Sequence, residues 1–338
     1  MNERYSRQEL FSPIGKEGQA KISEKSVLIV GAGALGAASS EALTRAGVKR
    51  IVLVDRDYVD WTNLQRQQLY SEEDAKNQLP KVIAAKNRLE KINSEVEIQA
   101  HVMDMGIEEA EELISGIDLI MDATDNFETR LLINDLAQKY QVPWIYGACV
   151  GSYGISYTII PGQGPCLNCL LDKIPANGQT CDTAGIISPA VQMVTAYQTA
   201  EALKILVEDF EAVRNKIITF DLWTNQQVQL GMEKAKKMDC PSCGTEPIFP
   251  YLKKESELKT AVLCGRDTVQ IRPSFNREIN LEQMEKSLVS HGRVRRNPYL
   301  LEVQNETHRL VLFKDGRALV HGTKNTAEAK SIYHKFIG

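Results

Sequence analysis

The sequence predicts an α/β protein with a Rossmann-like sheet, whose parallel first half continues into antiparallel strands, and a small C-terminal α+β module. Two patterns lead to this expectation. Up to about residue 150, short apolar runs alternate with segments of helical periodicity, which is typical of parallel sheets covered by helices. After that point, residues 153–160 alternate in polarity as half-buried antiparallel strands do.

The first half follows the β-α-β pattern element by element. The first strand is the apolar run 27–30, and the turn 31–36 leads into an Ala-rich helix that ends at Gly47. The second strand is predicted at 51–54, and Pro80 begins the next helix. The alternation continues with strands at 96–101, 118–122 and 144–148 and helices at 108–114 and 128–140.

The second half changes character. A helix at 190–207 is expected to be the last long helix of the main domain. Beyond residue 250, the pattern predicts strands at 261–263, 269–271, 300–303, 310–313 and 318–320 and helices at 281–289 and 326–336. The Asp315-Gly316 pair between two of these strands predicts a two-residue hairpin turn.

Length and charge indicate two domains, 1–250 and 251–338. The chain has 338 residues, and residues 251–338 carry 16 Lys+Arg against 10 Asp+Glu, whereas the first 250 residues carry 24 against 34. A net charge of −4 argues against a dedicated nucleic-acid binder. The sequence has neither an apolar run of membrane-spanning length nor a signal-peptide pattern at its start, so we expect a cytoplasmic protein.

A nucleotide site is predicted at the glycine-rich turn. Gly31, Gly33 and Gly36 follow a buried strand and open a helix, where the backbone N–H groups of the first helical turn bind phosphates. Asp55, at the end of the next strand, is expected to accept hydrogen bonds from ribose hydroxyls. These residues alone favour NAD, so an NAD-dependent oxidoreductase is one hypothesis.

The residues that follow favour a triphosphate over NAD. Cations and amides are dense between the second strand and the next helix, where a nicotinamide site needs none of them. They are Asn63, Arg66, Gln67 and Lys81, with Asp57 nearby. The alternative for each of these residues is a solvated surface position.

Asp125 is the candidate ligand of Mg²⁺. It follows the strand 118–122, and carboxylate oxygen suits this hard cation together with phosphate oxygens. The alternative is an N-cap for the helix that follows, a position that Asp122 or Asn126 would also suit.

Four of the seven cysteines form two Cys-x-x-Cys motifs, Cys166 with Cys169 and Cys240 with Cys243. Both motifs lie in turn-rich segments, and four thiolates at this spacing predict a closed, structural Zn²⁺ site. Redox chemistry at one of the motifs is the alternative. Cys149 and Cys264 follow predicted strands and are expected in the core.

Together these motifs resemble the E1-like ThiF/MoeB/HesA family. The resemblance extends from about residue 4 to residue 243, and its ordered motifs are residues 31–36, 55–60, 63–67, 80–81 and 122–126 with the paired cysteines. Members of this family adenylate the C-terminal glycine of small ubiquitin-like carrier proteins. The arrangement of the C-terminal module is most similar to ThiF-type proteins of thiamine thiazole biosynthesis.

The resemblance implies ATP-dependent activation of a ThiS-like or MoaD-like sulfur carrier for thiamine or molybdopterin biosynthesis. It implies that Arg66 and Lys81 hold the phosphates, that Asn63 adds a neutral donor, and that Asp55 and Asp125 bind ribose and Mg²⁺. A cysteine desulfurase or sulfurtransferase is a further partner that the family admits. The alternatives are an E1-like dehydratase acting on modified tRNA and a non-catalytic scaffold.

Two further roles are implied by the resemblance alone. Arg7 would reach into the ATP site of a neighbouring subunit, which implies a homodimer. Cys181 matches the family's mobile-loop cysteine, which bonds covalently to the carrier or takes part in sulfur transfer. In the basic C-terminal module, Arg293, Arg295 and Arg296 either steer an acidic carrier or lie in a solvated turn.

Overall fold

The computed structural model describes residues 3–171, 184–253, 259–262, 267–272, 278–305 and 307–337. The chain divides into two compact units. The first contains most residues up to 253, and the second contains most of the later residues together with 77–79. Separate domains with a boundary at residue 250 stay a prediction.

An eight-stranded sheet forms the centre of the first unit, in the order β3-β2-β1-β4-β5-β6-β7-β8. Neighbours from β3 to β5 pair in parallel, and those from β5 to β8 pair antiparallel. The predicted change from parallel to antiparallel strands is therefore confirmed. The strands are β1 (Ser26–Val30), β2 (Arg50–Asp55), β3 (Glu97–Val102), β4 (Leu119–Asp122), β5 (Trp144–Val150), β6 (Tyr153–Ile159), β7 (Lys216–Asp221) and β8 (Gln226–Gly231).

The helices of the first unit begin and end where local sequence favours it. Gly47 ends α3 in the left-handed conformation, with φ 83°, which glycine adopts without steric cost. Pro189 lies in the first turn of α9, where its missing N–H is not needed. The helices are α1 (Ser6–Glu9), α2 (Gly15–Ile22), α3 (Ala34–Ala46), α4 (Glu72–Lys76), α5 (Lys81–Ile92), α6 (Ile107–Leu113), α7 (Phe127–Tyr140), α8 (Leu167–Leu170) and α9 (Ser188–Leu206).

The core of the first unit lies on the parallel strands. Every residue of β1 and β4 is buried, because both strands are central in the sheet and both of their faces are covered. Trp144 at the start of β5 is fully buried in the same apolar cluster. Continuous apolar runs therefore predicted these strands well.

Two strands of this sheet were not predicted. In β7 the apolar residues Ile217, Ile218 and Phe220 are interrupted by Thr219, and all six residues of β8 are exposed. Residues 227–230 of β8 alternate in polarity, but Val228 and Leu230 are each 48% exposed, so this short alternation does not mark a buried face. Backbone pairing with β7 alone places β8 at the edge of the sheet.

The second unit contains a six-stranded antiparallel sheet in the order β11-β12-β13-β14-β10-β9. Its core is formed by apolar residues of β10, β12, β13 and β14 together with its two helices. No helix in the described residues of either unit is long and apolar enough to cross a membrane. The elements are β9 (Lys259–Val262), β10 (Thr268–Arg272), α10 (Leu281–Leu288), β11 (Arg293–Arg296), β12 (Leu300–Gln304), β13 (Arg309–Phe313), β14 (Ala318–His321) and α11 (Thr326–Ile337).

Two local expectations for this unit were wrong. Arg293, Arg295 and Arg296 do not lie in a turn: they belong to β11, an edge strand, where exposed cations oppose edge-to-edge association. The hairpin between β13 and β14 has a three-residue loop, 314–316, because Phe313 N–H donates to the Arg317 carbonyl. Gly316 adopts φ 84° as the last residue of that loop.

Candidate nucleotide site and cysteine cluster

The order of the strands brings three loops together. Strand β1 lies between β2 and β4, so the chain leaves β1 towards one side and later returns on the other. Ligands of open α/β sheets bind at such a reversal, beyond the carboxyl ends of the strands. The glycine turn 31–36 follows β1, Asp55 is the last residue of β2, and the loop that carries Asp125 follows β4. We define this edge as the nucleotide edge.

Two of the predicted glycines are required by the fold itself. Gly31 has φ 95°, and a Cβ there would lie 2.5 Å from the Ala123 carbonyl oxygen, in the loop after β4. A Cβ on Gly36 would lie 1.9 Å from the Gly31 carbonyl oxygen, at the start of α3. Both positions therefore exclude any side chain, since real Cβ contacts are never that short.

Gly33 has a different reason to be glycine. Among the described residues, only Gln67 Nε2 lies within 4 Å of a Cβ built there, at 3.9 Å, so the space is open. Gly33 is also the N-cap of α3, and no side chain caps that helix. The first N–H groups of α3 thus have no capping side chain, which is the arrangement that anions use at helix N-termini.

The carboxylate of Asp55 holds the glycine turn to the end of β2. It accepts hydrogen bonds from Ala32 N–H at 2.6 Å and from Asp57 N–H at 2.7 Å. The hydroxyl of Tyr70 donates to the Ala32 carbonyl from the other side. Burial raises the pKa of Asp55, and the charge of Lys81 opposes that rise. Each carboxylate oxygen has a second lone pair, so Asp55 still has acceptor capacity for a ribose hydroxyl.

Lys81 lies beside this carboxylate at the start of α5. Its side chain is only 6% exposed, and its Nζ is 3.1 Å from Asp57 Oδ2. The backbone also fixes it, since Lys81 N–H donates to the Asp57 carbonyl at 2.9 Å. A buried, fixed cation at this edge is suited to hold a phosphate anion.

The segment 63–67 packs against the same turn. Asn63 is buried, and its Oδ1 accepts from Asp60 N–H at 3.1 Å, which leaves the amide nitrogen as its donor. Arg66 is half-buried, and its guanidinium donates to the Thr62 carbonyl at 2.9 Å. Gln67 is buried, and its Oε1 has no hydrogen-bond partner in the part of the chain that the structure describes.

Asp125 is exposed and does not cap α7. The Asn126 side chain takes that role, accepting from Thr129 N–H at 2.9 Å. Arg130 holds the loop in place, because its guanidinium contacts Asp122 Oδ2 at 3.0 Å and the Thr124 carbonyl at 2.6 Å. Sequence analysis missed Arg130. The signal that could have identified Arg130 is an arginine in the helix that directly follows a strand ending in an aspartate, here Asp122.

A second missed cation is Arg56, directly after β2. It forms an ion pair with Asp104 at 3.3 Å. Burial alone would lower the pKa of Arg56, but the carboxylates of Asp104, Asp57 and Asp125 outweigh burial and raise it. Arg56 therefore lies among several carboxylates at the nucleotide edge, and these stabilise its positive charge.

The four predicted metal ligands come together away from the glycine turn. All four sulfur atoms lie within 4.8 Å of one another. Nearest sulfurs are 3.5 to 4.0 Å apart, and tetrahedral coordination at Zn–S distances of about 2.3 Å requires roughly 3.8 Å. The hydrogen bond between the Cys166 and Cys243 thiols lowers the pKa of Cys243 and raises the pKa of Cys166, and burial raises the pKa of Cys169. The cluster Cys166, Cys169, Cys240 and Cys243 fits a tetrahedral metal ion.

The remaining predicted residues are Arg7 and the three cysteines outside the two Cys-x-x-Cys motifs. Arg7 is exposed on α1 and forms no ion pair with any residue that the structure describes. Cys181 and Cys264 lie outside the described residues. Cys149, expected in the core, is half-buried, because it packs at the margin of a small apolar cluster.

Known proteins share this organisation. The family model described as the ThiF family matches residues 5–242. The chain is 54% identical over 340 residues to the sulfur carrier protein ThiS adenylyltransferase of Bacillus subtilis, with all of both chains covered. It is 34% identical to the sulfur carrier protein adenylyltransferase of Thermus thermophilus, over 72% of this chain and 92% of that relative.

A solved structure supports the fold. The crystal structure of Escherichia coli MccB with ATP matches with a TM-score of 0.64 at 24% identity, over 72% of this chain and 74% of that one. At that identity the likeness concerns the fold alone. The ThiF match covers most of the chain, and the Bacillus relative covers all of it. This chain belongs to the ThiF family.

Proposed function

We propose that this protein uses ATP to adenylate the C-terminal glycine of a small ubiquitin-like sulfur carrier of the ThiS type. The observation that carries the proposal is the 54% identity to a ThiS adenylyltransferase along the whole chain, including the C-terminal module. The nucleotide edge supports it, because the glycine turn is held by Asp55 and the buried cation of Lys81 acts on that same carboxylate.

In the proposed reaction, an oxygen of the carrier's terminal carboxylate attacks the α-phosphorus of ATP. A new bond forms between that oxygen and phosphorus, and the bond to the leaving pyrophosphate breaks, which gives an acyl-adenylate. An anion attacks an anion, so fixed positive charge is required before the transition state forms. This chain supplies such charge from side chains that are held by its own backbone.

We assign these roles by position. Lys81 and Arg66 neutralise the phosphates, and Asn63 donates through its amide nitrogen. Asp55 accepts from the ribose while it holds the turn of Gly31, Gly33 and Gly36 in place. Asp125 is placed to hold Mg²⁺, which would neutralise phosphate charge when bound.

The cysteine cluster is assigned to Zn²⁺ in a structural role. Four sulfur ligands leave no open position for a substrate, and softness of the ligands favours zinc over magnesium or calcium. The two motifs are 71 residues apart in sequence, from Cys169 to Cys240. A metal ion would therefore tie the end of the first unit to its middle.

The proposal includes a homodimer in which Arg7 completes the partner's ATP site. Its exposure on α1 leaves it available to a neighbouring subunit. It also includes a covalent role for Cys181 towards the carrier and a cysteine desulfurase or sulfurtransferase as sulfur donor. A cytoplasmic location, where ATP is available, completes the proposal.

Carrier-dependent ATP–pyrophosphate exchange tests the main proposal. We expect exchange with a ThiS-type carrier and none with the same carrier lacking its terminal glycine, because the attacking carboxylate is then displaced. A MoaD-type carrier and a tRNA substrate are the comparison arms. Exchange that ignores the terminal glycine, or that fails with every carrier, would contradict the proposed activity.

Mixed dimers test the shared site. Arg7→Ala and Asp125→Ala subunits should each be inactive alone, whereas verified heterodimers should regain up to about half of the activity per dimer. The reason is that one composite site then contains an intact Arg7 and an intact Asp125. Absence of rescue in purified heterodimers would show that each subunit uses only its own residues.

A further inference from the structure

We propose that two adjacent residues of α7, Asn134 and Asp135, are positioning residues that hold both Cys-x-x-Cys segments in the arrangement a metal ion requires. The inference rests on the proposed metal role of the cysteine cluster and goes beyond it. Both side chains are fully buried polar groups on a helix whose other buried residues are largely apolar. Burial of this kind is costly unless every polar atom has a partner.

Asn134 holds the first motif. Its Oδ1 accepts a hydrogen bond from Leu167 N–H at 2.8 Å, and Leu167 directly follows Cys166. This N–H belongs to the first residue of the short helix α8, for which Cys166 provides no side-chain cap. A side chain from α7 therefore caps the helical turn that separates Cys166 from Cys169.

Asp135 holds the second motif. It forms a hydrogen bond with the hydroxyl of Ser242, which lies between Cys240 and Cys243. Its Oδ2 also accepts from Tyr251 N–H at 2.8 Å, in the segment that follows the second motif. Both contacts are to the part of the chain that carries this cysteine pair or leaves it.

A third contact joins the two motifs to each other. Asn168 Nδ2, between the first two cysteines, donates to Ser242 Oγ at 2.9 Å. A continuous hydrogen-bonded path thus runs from Asn168 through Ser242 to Asp135. These hydrogen bonds attach the loops of both motifs to one helix and to one another.

This arrangement bears on metal affinity. Four thiolates repel one another, which opposes assembly of the site. Hydrogen bonds that already hold the two loops together reduce the chain entropy that is lost when the ion binds. Groups that orient metal ligands from outside the coordination sphere typically contribute 10- to 100-fold to affinity. Asn126, next to Asp125, is the N-cap of the same helix, so the cysteine segments are attached to the helix that starts at the nucleotide edge.

Zinc affinity of the purified full-length protein tests the proposal, by competition with a chromophoric chelator at fixed pH. Asn134→Leu and Asp135→Asn are each expected to weaken zinc binding about 10- to 100-fold. Ser242→Ala, with the smallest change in volume, is expected to release zinc several-fold faster and remains informative if the other variants fold poorly.

Two buried residues outside the cysteine segments provide matched controls. Asn93 is fully buried and accepts a hydrogen bond from Glu95 N–H at 3.2 Å. Glu201 is almost fully buried and accepts a hydrogen bond from Arg214 N–H at 2.7 Å. Asn93→Leu and Glu201→Gln should lower the unfolding temperature yet leave zinc affinity within about twofold of wild type.

The outcomes separate the two proposals. Wild-type protein without stoichiometric zinc would overturn the metal assignment itself. Stoichiometric zinc in the wild type, with unchanged affinity and release rate in the Asn134, Asp135 and Ser242 variants, would overturn only the positioning role. Equal losses of affinity in the controls would assign the effect to general destabilisation and would also overturn it.

Discussion

Replacement of Lys81 by alanine is expected to lower carrier-dependent ATP–pyrophosphate exchange about 10²- to 10³-fold. The Lys81 ammonium group is buried, is fixed by Asp57 and acts on Asp55, which holds the glycine turn, so water would not supply the same fixed charge. Loss of a preorganised charge of this kind raises the barrier of a step in which negative charge accumulates. Exchange rates at saturating carrier and ATP measure the effect.

Lys86→Ala is the matched control on the same helix. Lys86 is half-exposed and pairs with Glu90 at 3.7 Å on the surface of the helix, so its removal should leave exchange within about twofold of wild type. Thermal unfolding of both variants separates a loss of charge from a loss of fold. A folded Lys81→Ala protein with wild-type exchange would refute the assignment of Lys81 to the phosphates.

Replacement of Cys240 by serine is expected to remove the metal and to destabilise the protein by more than about 4 kcal/mol, the range of mutations that abolish a metal site. Cys240 is buried, and its Sγ lies 3.7 Å from Cys166 Sγ. Three remaining thiolates cannot complete a closed tetrahedral site. Elemental analysis and denaturant unfolding of the purified protein measure the two effects.

Cys149→Ser is the control for that experiment. Cys149 is half-buried, and it does not belong to the cysteine cluster. We expect its serine variant to retain wild-type zinc content and most of its stability. If Cys240→Ser kept its zinc, or if wild-type protein held none, the four-thiolate site would be wrong.

Local sequence predicted a secondary-structure element wherever a short pattern of neighbouring residues is enough to form it. The buried strands β1, β2 and β4 are continuous apolar runs, because both faces of a central parallel strand meet apolar neighbours. The glycine turn was equally readable, since Gly31 and Gly36 have no room for a side chain. The strands β8 and β11 were missed because backbone pairing holds both of them at sheet edges, where most of their side chains are exposed and no buried face forms.

For the candidate sites, the sequence predicted the residues that would contact ligands but not the residues that hold them in place. Their primary residues follow from residue type and spacing, as with the four cysteines. The supporting residues do not: Arg130 holds the loop of Asp125, and Asn134 with Asp135 holds the cysteine segments. In sequence these are ordinary polar residues within a helical pattern, and nothing in their spacing distinguishes them from surface residues.

The amino-acid sequence by itself determined the parallel β-α-β frame, the glycine turn and the four-cysteine metal motif, because each of these depends on contacts between near neighbours or on the chemistry of a residue type. Only the tertiary structure decided that Asp55 holds the glycine turn through Ala32 N–H, and that one helix, α7, contacts both cysteine motifs. These choices depend on hydrogen bonds between residues tens of positions apart, and on which buried polar groups must satisfy one another. No local pattern encodes that pairing, because it arises only when the sheet has placed its loops side by side.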